Sequence, residues 1–134
     1  MLYPKIGFIG LGLIGGSIAK IIKKKYPQTE MIAIASREST IQAAYADGII
    51  TNDTMLPLEA FSDCDILFLC GPVKVNVDYL TRLADLLPGH CIITDVGSVK
   101  GDITKAVADL GLTSRFIGGH PMAGSEAIGY DHSS

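Results

Sequence analysis

The chain has 134 residues, of which 48% are hydrophobic and 19% are charged. This length is typical of one domain built on a single core, and this composition excludes a disordered segment. With 11 basic and 14 acidic residues, the net charge of −3 gives no electrostatic reason to expect nucleic acid as a partner.

The chain shows no sign of export or of membrane insertion. Glycines interrupt the first apolar residues, and no run approaches the ~20 apolar residues of a membrane span, so we predict a cytoplasmic protein without membrane contact. Cys64, Cys70 and Cys91 are odd in number and lack the spacing of metal ligands. We therefore expect reduced, buried thiols and no metal site.

In chain order, short apolar runs alternate with stretches of helical periodicity. The predicted strands cover residues 5–10, 31–35, 49–50, 65–70, 90–94 and 115–117, and the predicted helices cover residues 14–25, 39–47, 73–87 and 98–110. Such alternation predicts an α/β fold with a doubly wound, mostly parallel sheet of six strands and helices on both faces. Residues 1–134 form one domain in this interpretation, and the glycine-rich stretch from residue 118 to residue 134 is predicted to be a loop.

The turn between the first strand and the first helix carries Gly10, Gly12 and Gly15, in the spacing of a dinucleotide-binding motif. The first glycine permits the sharp turn, the second lets a diphosphate approach the backbone, and the third lets the helix pack on the sheet. The free amides of the helix N-terminus then bind the phosphates. We predict that the whole turn contacts the cofactor, with Leu11, Leu13 and Ile14 between the glycines.

The end of the second strand predicts which nicotinamide cofactor is bound. An acidic residue there would bind the ribose hydroxyls of NAD, but this sequence has Ala35-Ser36-Arg37. Because a guanidinium suits a 2′-phosphate, Ser36 and Arg37 favour NADP over NAD. Two alternatives remain open: Arg37 is a solvated residue at the helix entry, or Glu38 takes the acidic position after a turn of different length.

Three further loops follow predicted strands, and ligands of such sheets bind beyond the carboxyl ends of the strands. Cys70-Gly71-Pro72 ends one strand and is predicted to contact the cofactor. Ser98 follows another and suits either a ligand contact or a helix N-cap. His120 lies among glycines and a proline after the last strand, where it suits proton transfer near neutral pH or, alternatively, a surface role that holds the loop backbone.

Three segments together resemble the prephenate and arogenate dehydrogenases of tyrosine biosynthesis. They are GLGLIGGS at residues 10–17, DVGSVK at residues 95–100, and GGHPMAGSE at residues 118–126. The resemblance spans essentially the whole chain in order, and its last segment is the most specific. It implies a Rossmann dinucleotide-binding domain.

The resemblance also implies a reaction, the NAD(P)-dependent oxidative decarboxylation of prephenate to 4-hydroxyphenylpyruvate or of arogenate to tyrosine. It places His120 at the family's catalytic histidine, which polarises or deprotonates the ring hydroxyl, and Ser98 at the serine that hydrogen-bonds the same region. Family members continue into an all-helical domain that forms a homodimer and contributes to substrate binding, and nothing in these 134 residues matches it. We therefore expect this chain to be the cofactor-binding half, poorly active alone.

Two other functions remain open at this stage. The glycine turn alone would also suit a non-catalytic module that senses a dinucleotide, although His120 and Ser98 argue against a module without chemistry. A different hydroxy-acid or imine dehydrogenase would share the glycine turn without sharing the later loops.

Overall fold

The computed structural model of the chain describes residues 4–96 and 100–118, with only the backbone described at residues 100–102. The strands are β1 (Lys5–Ile9), β2 (Glu30–Ile34), β3 (Ile66–Leu69), β4 (Ile92–Asp95) and β5 (Phe116–Gly118), and the helices are α1 (Leu13–Lys25), α2 (Glu38–Ala46), α3 (Val73–Leu83) and α4 (Lys100–Asp109). Short 3₁₀ turns cover Leu58–Phe61 and Thr113–Arg115. Strands and helices thus alternate as predicted.

All neighbouring strands of the sheet are parallel, in the order β2-β1-β3-β4-β5. From β1 the chain crosses to β2 on one side and then returns to place β3 on the other side. At this reversal of strand order the loops that follow β1 and β3 diverge, which leaves a crevice at the carboxyl ends of the strands. The predicted doubly wound α/β fold is confirmed.

The described part of the sheet has five strands where we predicted six, and the difference lies at residues 49–50. Gly48, with a φ of 75°, ends α2, and the amide of Ile49 bonds back to the carbonyl of Ala44. Ile49 is thus part of the helix C-cap and is not free to pair as a strand. The side chain of Asn52 covers the edge of β2 instead, because it both accepts from the amide of Ala33 (3.1 Å) and donates to its carbonyl (3.0 Å).

Both faces of the sheet are covered by packed apolar side chains. One buried cluster includes Ile9, Leu69, Leu80 and Ile103 and joins the sheet to α3 and α4. The other includes Phe8, Ala19, Met31 and Ile41 and joins it to α1 and α2. Because successive residues of a strand point to opposite faces, Phe8 and Ile9 enter different clusters. Such strands, buried on both sides, explain the nearly continuous apolar runs in the sequence.

Three further details of the described residues concern the cysteines, the end of α3 and the lengths of the helices. Cys64 and Cys91 are buried free thiols as predicted, and Cys70 is a free thiol that is only partly buried. The predicted helix at residues 73–87 ends at Leu83. Within residues 4–96 and 100–118, no helix is both long enough and apolar enough to span a membrane.

Asp65 links the amino ends of three strands. Its Oδ2 accepts a hydrogen bond from the amide of Lys5 (2.8 Å), and its Oδ1 lies 2.7 Å from Nε2 of His90, two residues before β4. The hydrogen bond from Lys5, followed by the one with His90, lowers the pKa of Asp65 below its usual value. The ionised carboxylate is therefore favoured by folding.

Replacing Asp65 with Asn should destabilise the fold in a pH-dependent way. A pKa that is lower in the folded state stabilises the fold above the unfolded pKa, and this stability is lost as the pH falls through the folded pKa. We expect Asp65→Asn to lower the free energy of unfolding by about 1.5–3 kcal/mol at pH 7, the value of hydrogen bonds to a charged group. The difference from the unmodified chain should shrink below about pH 4. Urea unfolding across this pH range measures it.

Asp63→Asn is the matched control, because the Asp63 side chain is 69% exposed and pairs with Lys5 at the surface. Exposed ion pairs contribute little to stability, so this variant should unfold like the unmodified chain. Equal losses in the two variants, or a loss for Asp65→Asn that does not depend on pH, would contradict the role assigned to Asp65.

Candidate functional site

The carboxyl ends of β1, β2 and β3 border a common cleft of about 440 Å³. Its lining residues are Ile9–Gly12 after β1, Ile34–Ser36 and Thr40 around the end of β2, and Cys70–Pro72, Val75 and Tyr79 from β3 into α3. The cleft therefore lies at the reversal of strand order, where open parallel sheets bind ligands. Of the predicted cofactor residues, Gly10, Leu11, Gly12, Ser36, Cys70, Gly71 and Pro72 line it.

Gly10 and Gly15 are required by close packing of the turn. Gly10 has a φ of 93°, and a Cβ there would lie 2.7 Å from the amide nitrogen of Gly71. A Cβ at Gly15 would lie 2.6 Å from the carbonyl oxygen of Gly10. These contacts hold the start of α1 directly against the ends of β1 and β3, as predicted for the first and third glycines.

Gly12 differs from both, because a Cβ at this position would have no atom within 4 Å. It is the N-cap of α1, has a φ of −79°, and carries no side chain that could cap the helix. The first turn of α1 also contains no acidic residue. The first amides of α1, from Leu13 onward, thus face an open space with the positive end of the helix dipole, which is the arrangement that binds phosphate groups.

The side chains of Leu13 and Ile14, which we predicted to contact the cofactor, do not line the cleft. Leu13 is 70% exposed and borders a separate groove between α1 and α2. Ile14 is half-buried in α1.

At the end of β2, Ser36 lines the cleft and Arg37 does not. Both residues are exposed, and Arg37 is the N-cap of α2 without a side-chain cap bond. Thr40, in the first turn of α2, also lines the cleft, and the sequence analysis did not single it out. Glu38 lies inside α2 as its first residue, beyond the end of β2.

The turn after β3 is held by a buried amide side chain. Asn76 is fully buried, its Oδ1 accepts from the amide of Gly71 (2.9 Å), and its Nδ2 donates to the carbonyl of Gly71 (3.0 Å). A side chain at Gly10 would collide with the turn at Gly71, so the loop after β1 and the turn after β3 are in contact. By holding the turn at Gly71, Asn76 therefore also positions the loop at Gly10. Sequence reasoning missed it, although an Asn on the apolar face of the predicted helix, five residues after Gly71, is a usable signal.

The thiol of Cys70 forms part of the cleft wall. Burial, and to a smaller extent the neighbouring Asp95 at the end of β4, raise the pKa of Cys70 to about 12. The thiol is therefore protonated at neutral pH and behaves as a small apolar group rather than as a nucleophile. Asp95 is itself buried.

Ser98 and His120, the two predicted catalytic residues, lie outside the described residues. Ser98 follows β4 in sequence, and His120 is two residues beyond the end of β5. Among the side chains described, no group of three or more His, Cys, Asp or Glu could hold a metal ion.

The described residues fit a dinucleotide. The open space at Gly12 and the amides of α1 suit a diphosphate, and the cleft extends from there past Ser36 on one side and Tyr79 on the other. Its lining is mainly apolar with a few polar groups, which is typical of a cofactor site. The residues that would hold the cofactor are thus the glycine turn, Ser36, Thr40 and the turn at Gly71.

Comparison with known proteins gives a family match over most of the chain. The family model described as "Prephenate dehydrogenase, nucleotide-binding domain" matches residues 18–134. The chain is also similar to a prephenate dehydrogenase from Lactococcus lactis subsp. cremoris, with 42% identity over 129 residues, covering 93% of this chain and 36% of the relative.

Solved structures give the same result. A crystal structure of prephenate dehydrogenase from A. aeolicus, in complex with hydroxyphenyl propionate and NAD+, has a TM-score of 0.79 at 29% identity, covering 92% of this chain and 43% of that one. An arogenate dehydrogenase from Synechocystis has a TM-score of 0.73 at 34% identity, covering 87% and 40%. The chain thus spans about a third to less than half of the length of these proteins.

Proposed function

The chain belongs to the prephenate dehydrogenase family as its nucleotide-binding domain, and on this premise we propose that it binds a nicotinamide dinucleotide for the oxidative decarboxylation of prephenate or arogenate. The observation that carries the proposal is the cleft at the ends of β1, β2 and β3, where Gly12 leaves open space before the amides of α1. The relatives are two to three times longer than this chain, so we propose that turnover requires a further, helical region for substrate binding.

The proposed chemistry divides between the cofactor and two residues of this chain. A nicotinamide cofactor held by the glycine turn would supply the hydride acceptor for the ring carbon that bears the hydroxyl, and loss of carbon dioxide would make the ring aromatic. His120 takes the hydroxyl proton, which eases hydride departure by giving the oxygen alkoxide character. Ser98 hydrogen-bonds the same hydroxyl. Their positions after consecutive parallel strands, β4 and β5, support this assignment, because such loops meet at one edge of the sheet.

The finer proposal is that the cofactor is NADP rather than NAD. Ser36 lines the cleft at the end of β2, and Arg37 follows it as an exposed residue whose side chain makes no hydrogen bond or ion pair with another described residue. The first residue after β2 is Ala35, and none of the described residues that line the cleft carries a carboxylate that could accept hydrogen bonds from ribose hydroxyls. A guanidinium beside this position favours the 2′-phosphate.

Titration of the chain with NADPH and with NADH tests this preference. We expect NADPH to bind more tightly, and Arg37→Ala to weaken NADPH binding about ten- to a hundredfold, the loss expected for a charge-assisted hydrogen bond. NADH binding should be unchanged. Lys74→Ala removes an exposed positive charge from α3 outside the cleft and serves as the control. Tighter binding of NADH by the unmodified chain would overturn the preference, and binding of neither would overturn the cofactor proposal.

We also propose that the whole protein works as a cytoplasmic homodimer with a small-molecule substrate. Two observations support the compartment and the kind of substrate, and the homodimer is proposed from the resemblance to the family. The described cysteines are free thiols, as in proteins of reducing compartments. The A. aeolicus relative was crystallised with a small aromatic acid, hydroxyphenyl propionate.

A second candidate function is a different hydride-transferring enzyme. A 3-hydroxyisobutyrate dehydrogenase from Mycobacterium tuberculosis shares the fold with a TM-score of 0.69, but at 14% identity this likeness concerns the fold alone. Turnover assays of the whole protein with prephenate, with arogenate and with a 3-hydroxy acid distinguish the two candidates directly.

A further inference from the structure

The cleft has a second wall, on α3, that the sequence analysis did not use. Val75 and Tyr79 both line it, and because they are four residues apart they lie on the same face of the helix. Across the cleft are Ser36 and Thr40, from the end of β2 and the start of α2. A ligand in this part of the cleft therefore has the end of β2 on one side and Tyr79 on the other.

This part of the cleft is the place for the adenosine of a dinucleotide. In doubly wound sheets the diphosphate lies at the first helix N-terminus, and the adenosine ribose meets the end of the second strand. Here these two positions are Gly12 and Ser36, and the nicotinamide half extends the other way, toward β4. The base attached to that ribose then lies between Ser36 and α3.

The ring of Tyr79 contacts Arg82, which does not line the cleft. The guanidinium carbon of Arg82 lies 4.6 Å from the centre of the Tyr79 ring, and Arg82 also forms an exposed ion pair with Asp78 (3.2 Å). Tyr79 lines the cleft and Arg82 does not, so we infer that Arg82 contacts the ring face that is turned away from the cleft. The Tyr79 hydroxyl makes no hydrogen bond to another described residue, so the ring is positioned by packing and by this cation–π contact.

We propose that Tyr79 is the aromatic platform for the adenine base, and that Arg82 is a positioning residue that holds the Tyr79 ring in place. This inference rests on the proposed dinucleotide function. An aromatic ring suits the task because bases stack on aromatic faces, and the contact requires no hydrogen bond to the base. Val75, 40% exposed on the same wall, adds an apolar contact. The site thus selects ligands that carry an adenosine.

The experiment measures binding of two probes to the 134-residue chain. ADP-ribose carries the adenosine and diphosphate, whereas reduced nicotinamide mononucleotide carries only the other half of the cofactor. We expect Tyr79→Ala to weaken ADP-ribose binding on the order of ten- to a hundredfold, the effect of removing a stacked base contact. Binding of the mononucleotide should be unchanged. Tyr79→Phe should bind both probes like the unmodified chain, because the ring carries the contact.

Four further variants make the outcome decisive. Tyr79→Leu keeps apolar bulk against the core, so it should fold normally and still lose ADP-ribose affinity. Arg82→Ala should give a smaller loss for ADP-ribose alone, and Arg82→Lys should not restore it, because an ammonium lacks the planar face that stacks on a ring. Thr81→Ala, on α3 outside the cleft lining, is the matched control.

Two results would overturn the inference. If Tyr79→Leu and Thr81→Ala bind ADP-ribose equally well, Tyr79 is not the platform. If Tyr79→Leu weakens both probes to the same extent, its role is general support of the fold. A third result, in which the unmodified chain binds neither ADP-ribose nor NADPH, would instead overturn the proposed function, so the two failures are distinguishable.

Discussion

Gly12→Asp should eliminate dinucleotide binding while leaving the fold intact. A Cβ at Gly12 meets no atom within 4 Å, its φ is negative, and Asp is a preferred N-cap residue beside the positive end of a helix. We therefore expect the free energy of unfolding to change by no more than about 1 kcal/mol. The new carboxylate would occupy the space for the diphosphate and repel it, so the dissociation constant for NADPH should rise on the order of a hundredfold or more.

Two other glycine variants serve as comparisons for Gly12→Asp. Gly89→Asp introduces the same side chain at another open position, outside the cleft lining, and should bind NADPH normally. Gly10→Ala should lose stability as well as binding, because its φ of 93° and the nearby amide of Gly71 exclude a side chain. Calorimetric titration and urea unfolding of all three variants measure both quantities. Normal NADPH binding by Gly12→Asp would show that the diphosphate does not lie at this turn.

His120→Asn should reduce turnover of the whole protein on the order of a hundred- to ten-thousandfold, the usual contribution of a general base. Asn can still hydrogen-bond but cannot take a proton, so the affinity for the cofactor should change little. Steady-state kinetics with prephenate and arogenate, together with NADPH titration, separate the two effects.

His90→Asn is the control for this experiment, because His90 pairs with Asp65 at the opposite, amino end of the sheet. Its turnover should match that of the unmodified protein. Comparable turnover by His120→Asn and His90→Asn would remove His120 from the mechanism.

The parts of the fold set by local rules could be predicted from the sequence. Each strand buried on both faces appears as an apolar run, and the glycine spacing identified both the turn and the helix that follows it. Residues 49–50 were the exception. Their composition suits a strand, but Gly48 draws the amide of Ile49 into the cap of α2, and Asn52 then covers the edge of β2. Apolar content alone does not distinguish a helix cap from an edge strand.

Some residues of the candidate site could likewise be predicted from the sequence, and others could not. Residues at the ends of strands, such as Ser36 and Gly71, could be predicted because parallel strands place their carboxyl ends at one edge. Thr40, Asn76 and Tyr79 could not, because each reaches the cleft or its loops from a helix, and that depends on how the helix packs. Leu13 and Ile14 were included for their position in the motif, and neither residue lines the cleft.

The central claim is that the glycine turn and the cleft beside it bind a nicotinamide dinucleotide. Amide chemical shifts recorded while NADPH is added to the chain test it most directly, since they report which residues meet the ligand. We expect the largest shifts at Leu13, Ile14 and Gly15 in the first turn of α1, followed by Ser36 and Gly71. No shifts at saturating NADPH, or shifts concentrated in the groove between α3 and α4 near Lys105, would contradict the claim.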